Sequence, residues 1–193
     1  MFMLILLLAL NFGVSWLNCW SVGGMWAESK ALGGFPRLLA WCGAIQAAIG
    51  FSSVIGAVLG AIAFHFGLLP AKATSQATSL WYLLVIVPAI GSGLIITVHS
   101  WIIAFRERSI LNMGTAAYNT LTQAHNMLGA FRNMGGALES VADLFASDDD
   151  EPSVAVLVVA LVAVALAGGV LLTAYLIRRY AGRLELPAKV MPA

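Results

Sequence analysis

The chain has 193 residues, of which 61% are hydrophobic and only 10% are charged, and its net charge is +1. A water-soluble domain carries about 25% charged residues, so this composition excludes an ordinary soluble protein. The small net charge and the lack of basic runs also exclude nucleic acid as a partner.

The apolar runs have the length of membrane-spanning helices. A helix needs about 20 apolar residues to cross a hydrocarbon core of roughly 30 Å, whereas a barrel strand alternates over about 10 residues. Only helices and closed barrels satisfy their backbone groups in lipid. The sequence therefore predicts an all-α, polytopic protein of the cell membrane with about four transmembrane helices.

The first apolar segment is Met1–Val22. It has neither the positive start nor the clear cleavage site of a secretory signal peptide, which favours a retained helix. Trp16, Trp20 and Trp26 lie near its end, where amphipathic rings favour the headgroup region. A glycine-rich linker is predicted at Gly23–Arg37.

The second apolar segment, Leu38–Leu69, is longer than a membrane requires, so we expect it to tilt, break or project beyond the lipid. Pro70 ends it, and a short polar turn is predicted at Ala71–Ser79. The third segment is Leu80–Phe105, and Pro88 is expected to kink it because proline removes a backbone donor.

Ser109–Ala146 is polar but carries few charges. Apolar or small residues recur every seven positions in two rows, which heptad geometry places on one helical face. The first row is Ile110, Ala117, Ala124, Phe131, Leu138 and Phe145, and the second is Gly114, Leu121, Leu128, Gly135 and Ala142. We predict a long amphipathic helix that lies on the membrane, packs against copies of itself or docks a soluble partner.

The fourth apolar segment, Ser153–Ile177, follows an acidic run at Asp148–Glu151. The sequence thus divides into a three-helix transmembrane region (1–108), an extramembrane or interfacial amphipathic helix with an acidic end (109–152), and a fourth transmembrane helix with a short basic tail (153–193). Four crossings place five basic residues on each side, so the positive-inside rule does not set the orientation. The change from acidic to basic residues across the last helix favours a cytoplasmic C-terminus.

A row of small residues follows one face of the second segment at a spacing of four. Lipid gives no hydrophobic drive for helices to associate, and small side chains supply close backbone contact instead. The row therefore predicts a packing surface for another helix of the chain or for another subunit. Its members, called here the small-residue row, are Ala44, Ala48, Ser52, Gly56 and Gly60.

Six polar residues could share one layer within the bundle, because antiparallel hairpins bring them to similar depths. Polar groups in lipid need partners, so the layer is interpreted as a hydrogen-bond network, with a solute or proton pathway as the first alternative and a catalytic site as the second. These residues are Asn11, Ser15, Gln46, Ser53, Thr97 and His99.

Cys19 and Cys42 are predicted to be small buried residues, with a disulfide between them as the alternative. His65, His99 and His125 differ in depth or lie outside the spans, so they predict no metal site. No nucleophile, metalloprotease or nucleotide-binding motif is present, and no predicted span contains a carboxylate. We therefore expect no enzyme activity, cofactor or metal.

The leading functional hypothesis is a non-enzymatic membrane protein that self-assembles in the lipid bilayer. Such an assembly would be a pore, a conduit or a structural component of a larger machine. The alternatives are an accessory subunit of a heteromeric membrane complex, whose partners are other membrane subunits, and a small transporter that uses the polar layer.

Overall fold

A computed structural model describes residues 2–32, 34–146 and 152–184, and this part of the chain forms five helices and no strand. The prediction of an all-helical chain with four long apolar helices is confirmed, because α1, α2, α3 and α5 are each long and apolar enough to cross a membrane. The acidic run 148–151 and the tail 185–193 lie outside the described residues. The helices are α1 (Phe2–Leu32), α2 (Gly34–His65), α3 (Ala71–Glu107), α4 (Ile110–Ala146) and α5 (Pro152–Leu184).

The predicted linker at 23–37 is wrong, since α1 continues to Leu32 and α2 begins at Gly34. Glycine was interpreted there as a sign of flexible chain, but Gly23 provides a close helix contact instead. A Cβ atom on Gly23 would lie 2.5 Å from the Cβ of Tyr180 in α5. The chain reverses at Gly34, whose φ of +53° lies in the left-handed region that glycine adopts at little cost.

The predicted polar turn at 71–79 is also wrong, because α3 begins at Ala71. The threonines of this stretch satisfy their hydroxyls on their own helix: Thr74 donates to the Pro70 carbonyl at 3.3 Å and Thr78 to the Thr74 carbonyl at 3.1 Å. The turn between α2 and α3 lies earlier, around Gly67 with φ +68°.

α2 is the central helix and packs against α1, α3 and α5. One apolar cluster joins α1, α2 and α5 around Cys19, Phe51 and Leu176. A second cluster joins the α2–α3 turn, α3, α4 and α5 around Leu69 and Val158. α1, α2, α3 and α5 therefore form one bundle, and α4 packs on its outside, along α3.

Neighbouring helices along the chain run antiparallel, as the paired contacts show. Val22 of α1 lies against Gly43 of α2 near one end, while Thr74 of α3 lies against Gly60 of α2 near the other. We call the end where α1 begins the N-terminal end of the bundle and the end where α5 finishes its C-terminal end. α2 and α4 run from the C-terminal to the N-terminal end, and α1, α3 and α5 run the opposite way.

Candidate functional site

The small-residue row lies against helices of its own chain. A Cβ on Gly169 of α5 would lie 2.5 Å from the carbonyl oxygen of Ala48 and 2.7 Å from the backbone nitrogen of Ser52. Further along, a Cβ on Gly56 would lie 3.4 Å from the methyl group of Ala165, and a Cβ on Gly60 would lie 3.5 Å from the methyl group of Thr74 in α3. The backbones of α2 and α5 thus touch over the middle of this row, where only a residue without a side chain fits.

One group of the predicted polar residues joins α1 to α2. The Asn11 amide donates to the Ser53 hydroxyl at 2.7 Å, and the Ser15 hydroxyl donates to the Asn11 carbonyl at 2.8 Å. Both side chains fill the space left by Gly50, where a Cβ would collide with the Ser15 hydroxyl. Asn11, Ser15 and Ser53 therefore share one small network at the α1–α2 contact.

Gln46 belongs to a separate network between α2 and α3. Its Nε2 donates to the Ala89 carbonyl and to the Ser92 hydroxyl, both at 2.8 Å. Ser92 in turn donates to the Pro88 carbonyl at 2.5 Å. This network holds the turn of α3 that follows its proline against the central helix.

We expect Gln46→Met to lower the free energy of unfolding by about 1 kcal/mol, because it removes interhelical bonds of the kind measured in membrane bundles. Thermal unfolding in detergent measures the effect. Val87→Met is the matched control, since Val87 is 75% exposed on the outer side of α3. Equal midpoints for the two variants would contradict a stabilising role of the Gln46 bonds.

Thr97 and His99 lie apart from both networks. Thr97 donates to the Gly93 carbonyl at 2.8 Å within α3 and reaches the Asn119 carbonyl of α4 at 3.5 Å. His99 packs edge-on against Phe35 at the start of α2, with ring centroids 5.4 Å apart. The six residues thus divide between the α1–α2, α2–α3 and α3–α4 contacts.

α4 contacts α3 through a row of five residues spaced by seven. These residues are buried, and they differ from the two apolar rows identified in the sequence: Ala116, Gln123, Ala130, Ala137 and Leu144. Leu121 and Phe131, members of those apolar rows, are 72% and 74% exposed. The small residues in the buried row let α4 approach α3 closely.

A row of asparagines runs beside this contact and was missed in the sequence. It occupies one heptad position of α4 and is called here the asparagine row: Asn112, Asn119, Asn126 and Asn133, continued by Ser140. The recurrence of one amide residue every seven positions was the available signal. Asn119 donates to the Ser100 hydroxyl at 2.6 Å, while Asn126 and Asn133 are exposed.

The neighbouring positions extend this polar side of α4. A second heptad position, three residues after each asparagine, lies beside the asparagine row on the helix surface. Its residues are small and either exposed or partly exposed: Thr115, Thr122, Gly129 and Gly136. Arg132 and Glu139, exposed as well, lie on its far border. One side of α4 thus carries polar or small residues over most of its length.

An apolar groove of about 650 Å³ lies between α2 and α5 near the C-terminal end. Trp26 and Trp41 border it, with ring centroids 5.2 Å apart, and Arg178 lies at its rim. Tryptophan and arginine are common where a helix leaves the hydrocarbon core. The groove is therefore the kind of surface that lipid chains cover in a membrane.

Both cysteines are free and buried. Cys19 lies beside Thr173 of α5. Among the described residues, His, Cys, Asp and Glu form no group of three that could hold a metal ion.

No protein-family model matches the chain, no curated protein matches it, and no solved structure matches its fold.

Proposed function

We propose that this chain is a non-enzymatic integral membrane protein that assembles with copies of itself. The assembly forms a membrane conduit or a structural component of a larger machine. The observation that supports this proposal is the exposed polar side of α4. The helix packs along α3, but Asn126 and Asn133 on this side remain exposed.

Because α4 packs along α3, a candidate membrane span, its polar side needs a partner that lipid does not provide. Lipid covers exposed apolar residues such as Leu121 and Phe131 at no cost, but exposed amides in hydrocarbon leave hydrogen-bonding groups without partners. An assembly in which several copies turn this side toward one another shields it from lipid without any change in the bundle. The small-residue row is used within the chain, so α4 offers the surface for assembly.

Purified protein in a mild detergent is expected to run in mass photometry as one species of several copies. The replacement of Asn126 and Asn133 by leucine is expected to shift this species toward the monomer, because leucine at these positions can face lipid and no longer has to be shielded from it. Leu121→Val with Leu128→Val on the apolar side is the matched control. A monomer at every concentration would contradict self-assembly. A different chain bound in a fixed ratio would also contradict it, and would indicate a subunit of a heteromeric complex.

A further inference from the structure

α4 runs along the whole of α3. At its start, Asn112 donates to the Glu107 carboxylate at 2.7 Å. In its first half, Gln123 donates to the Ile90 carbonyl at 3.0 Å. At its end, Leu144 belongs to the same apolar cluster as Leu69, which precedes α3. α4 therefore begins at the C-terminal end of the bundle and finishes at the N-terminal end.

The direction of the neighbouring spans makes this path a membrane crossing. α3 and α5 are both candidate spans, and both run from the N-terminal to the C-terminal end. The chain must return across the membrane between Glu107 and Pro152, and α4 is the helix that makes this return. Its 37 residues cover about 55 Å at 1.5 Å per residue, more than the roughly 30 Å of the hydrocarbon core.

The basic residues support five crossings. If α4 stays outside the membrane, five basic residues lie on each side. If α4 crosses, seven lie at the C-terminal end of the bundle and only Lys72 lies at the N-terminal end, while Arg132 is inside α4 and Lys189 is outside the described residues. The positive-inside rule then gives a clear orientation, with the C-terminal end in the cytoplasm. The seven are Lys30, Arg37, Arg106, Arg108, Arg178, Arg179 and Arg183.

Three members of the asparagine row, Asn119, Asn126 and Asn133, lie at the depth of the hydrocarbon core. Gln46 and Gln123 bond to the neighbouring carbonyls of Ala89 and Ile90, so they lie at one level of the bundle. Because α2 and α4 run in the same direction, Asn126 lies level with the middle of the 32-residue α2. At 1.5 Å per residue, Asn119 and Asn133 lie about 10.5 Å on either side of it, inside a core of roughly 30 Å.

Water suits this side of α4 better than lipid or a dry contact does. Arg132 is next to Asn133 and is exposed on the border of the polar side. A charged group at this depth is costly unless it reaches water or a partner. The small Thr122, Gly129 and Gly136 beside the asparagines leave room for solvent.

We infer that α4 is a fifth transmembrane helix and that its asparagine row lines a water-filled path between copies of this chain. The path is suited to small hydrophilic solutes or hydrated ions, because carboxamide oxygens and nitrogens replace part of a hydration shell without adding fixed charge. In a symmetric assembly the two exposed asparagines, Asn126 and Asn133, become stacked rings. This inference rests on the proposed self-assembly, since one copy supplies only one wall of the path.

Cysteine labelling tests the inference in the full-length protein. Cys19→Ala and Cys42→Ala remove the native thiols, both of them buried. Single cysteines are then placed on the polar side (Asn126→Cys, Asn133→Cys) and on the apolar side (Leu128→Cys, Phe131→Cys). A charged, membrane-impermeant methanethiosulfonate is applied to the protein in lipid vesicles, and mass spectrometry reads the modification.

The expected result is complete modification at the two asparagine positions and none at Leu128 and Phe131. Equal modification on both sides overturns the crossing, because α4 then lies in water. No modification at any of the four positions overturns the water-filled path. Mass photometry of the same variants separates these failures from failure of the proposed function, because a monomeric protein contradicts self-assembly whatever the labelling pattern is.

Discussion

Gly169→Ala is expected to cost more than about 2 kcal/mol of unfolding free energy, since a core without room for a methyl group must shift to accept one. The added Cβ would lie 2.5 Å from the Ala48 carbonyl oxygen and 2.7 Å from the Ser52 nitrogen. Both are backbone atoms of the central helix, so no side-chain rotation relieves the collision. α5 has to move away from α2 along its length.

Gly91→Ala is the matched control, because a Cβ at this position of α3 meets nothing within 4 Å. Alanine is the better helix former by up to about 1 kcal/mol, so this variant is expected to unfold at the same temperature or slightly higher. Thermal unfolding of both variants in one detergent measures the difference. A Gly169→Ala variant as stable as Gly91→Ala would show that α2 and α5 are not in backbone contact.

The sequence predicted the contact face of α2 but not its partner. A spacing of four among Ala44, Ala48 and Ser52 marks one side of a helix whatever lies against it. Ala165 and Gly169 of the last helix repeat the spacing of four and indicate a contact face of α5, but nothing in that spacing pairs this face with α2. Long-range pairing of this kind depends on how the helices pack, which no local pattern encodes.

The sequence also failed at Gly23, where two adjacent glycines were interpreted as linker. In soluble helices glycine is unfavourable because it gives the unfolded chain more backbone freedom, which is lost when the helix forms. In a membrane bundle the same residue permits a close contact, here with Tyr180. The local propensity was therefore overridden by tertiary packing, and α1 continues through both glycines.

In α4 the heptad pattern predicted the helix but not the side of it that is buried. The seven-residue period in 109–146 was found, and the helix Ile110–Ala146 occupies this segment. The side that contacts α3 was not found, because it carries Ala116, Gln123 and Ala130 and not the large apolar residues. In water the largest apolar residues mark the buried side, whereas in lipid they can face outward and small residues make the contact.

Reporter tags are expected to place the two termini on opposite sides of the membrane, the N-terminus outside and the C-terminus in the cytoplasm. Five crossings require this result, whereas four crossings put both termini on one side. Two internal tags test the crossing of α4 directly. One is inserted between Arg108 and Ser109 and the other at Asp149, so that α4 is the only helix between them. Protease digestion of sealed vesicles should cleave only one of these two tags, because α4 separates them.

A tag at Gly67, in the turn between α2 and α3, provides the reference for the outer side, and it should be cleaved together with the Asp149 tag. Cleavage of both tags that flank α4 in the same vesicles would place this helix on the surface. Arg108 is in the α3–α4 turn with a φ of +49°, so the first tag enters a backbone that has already left the helix. Because the second tag follows Ala146, the last residue of α4, neither insertion interrupts the helix whose crossing is tested.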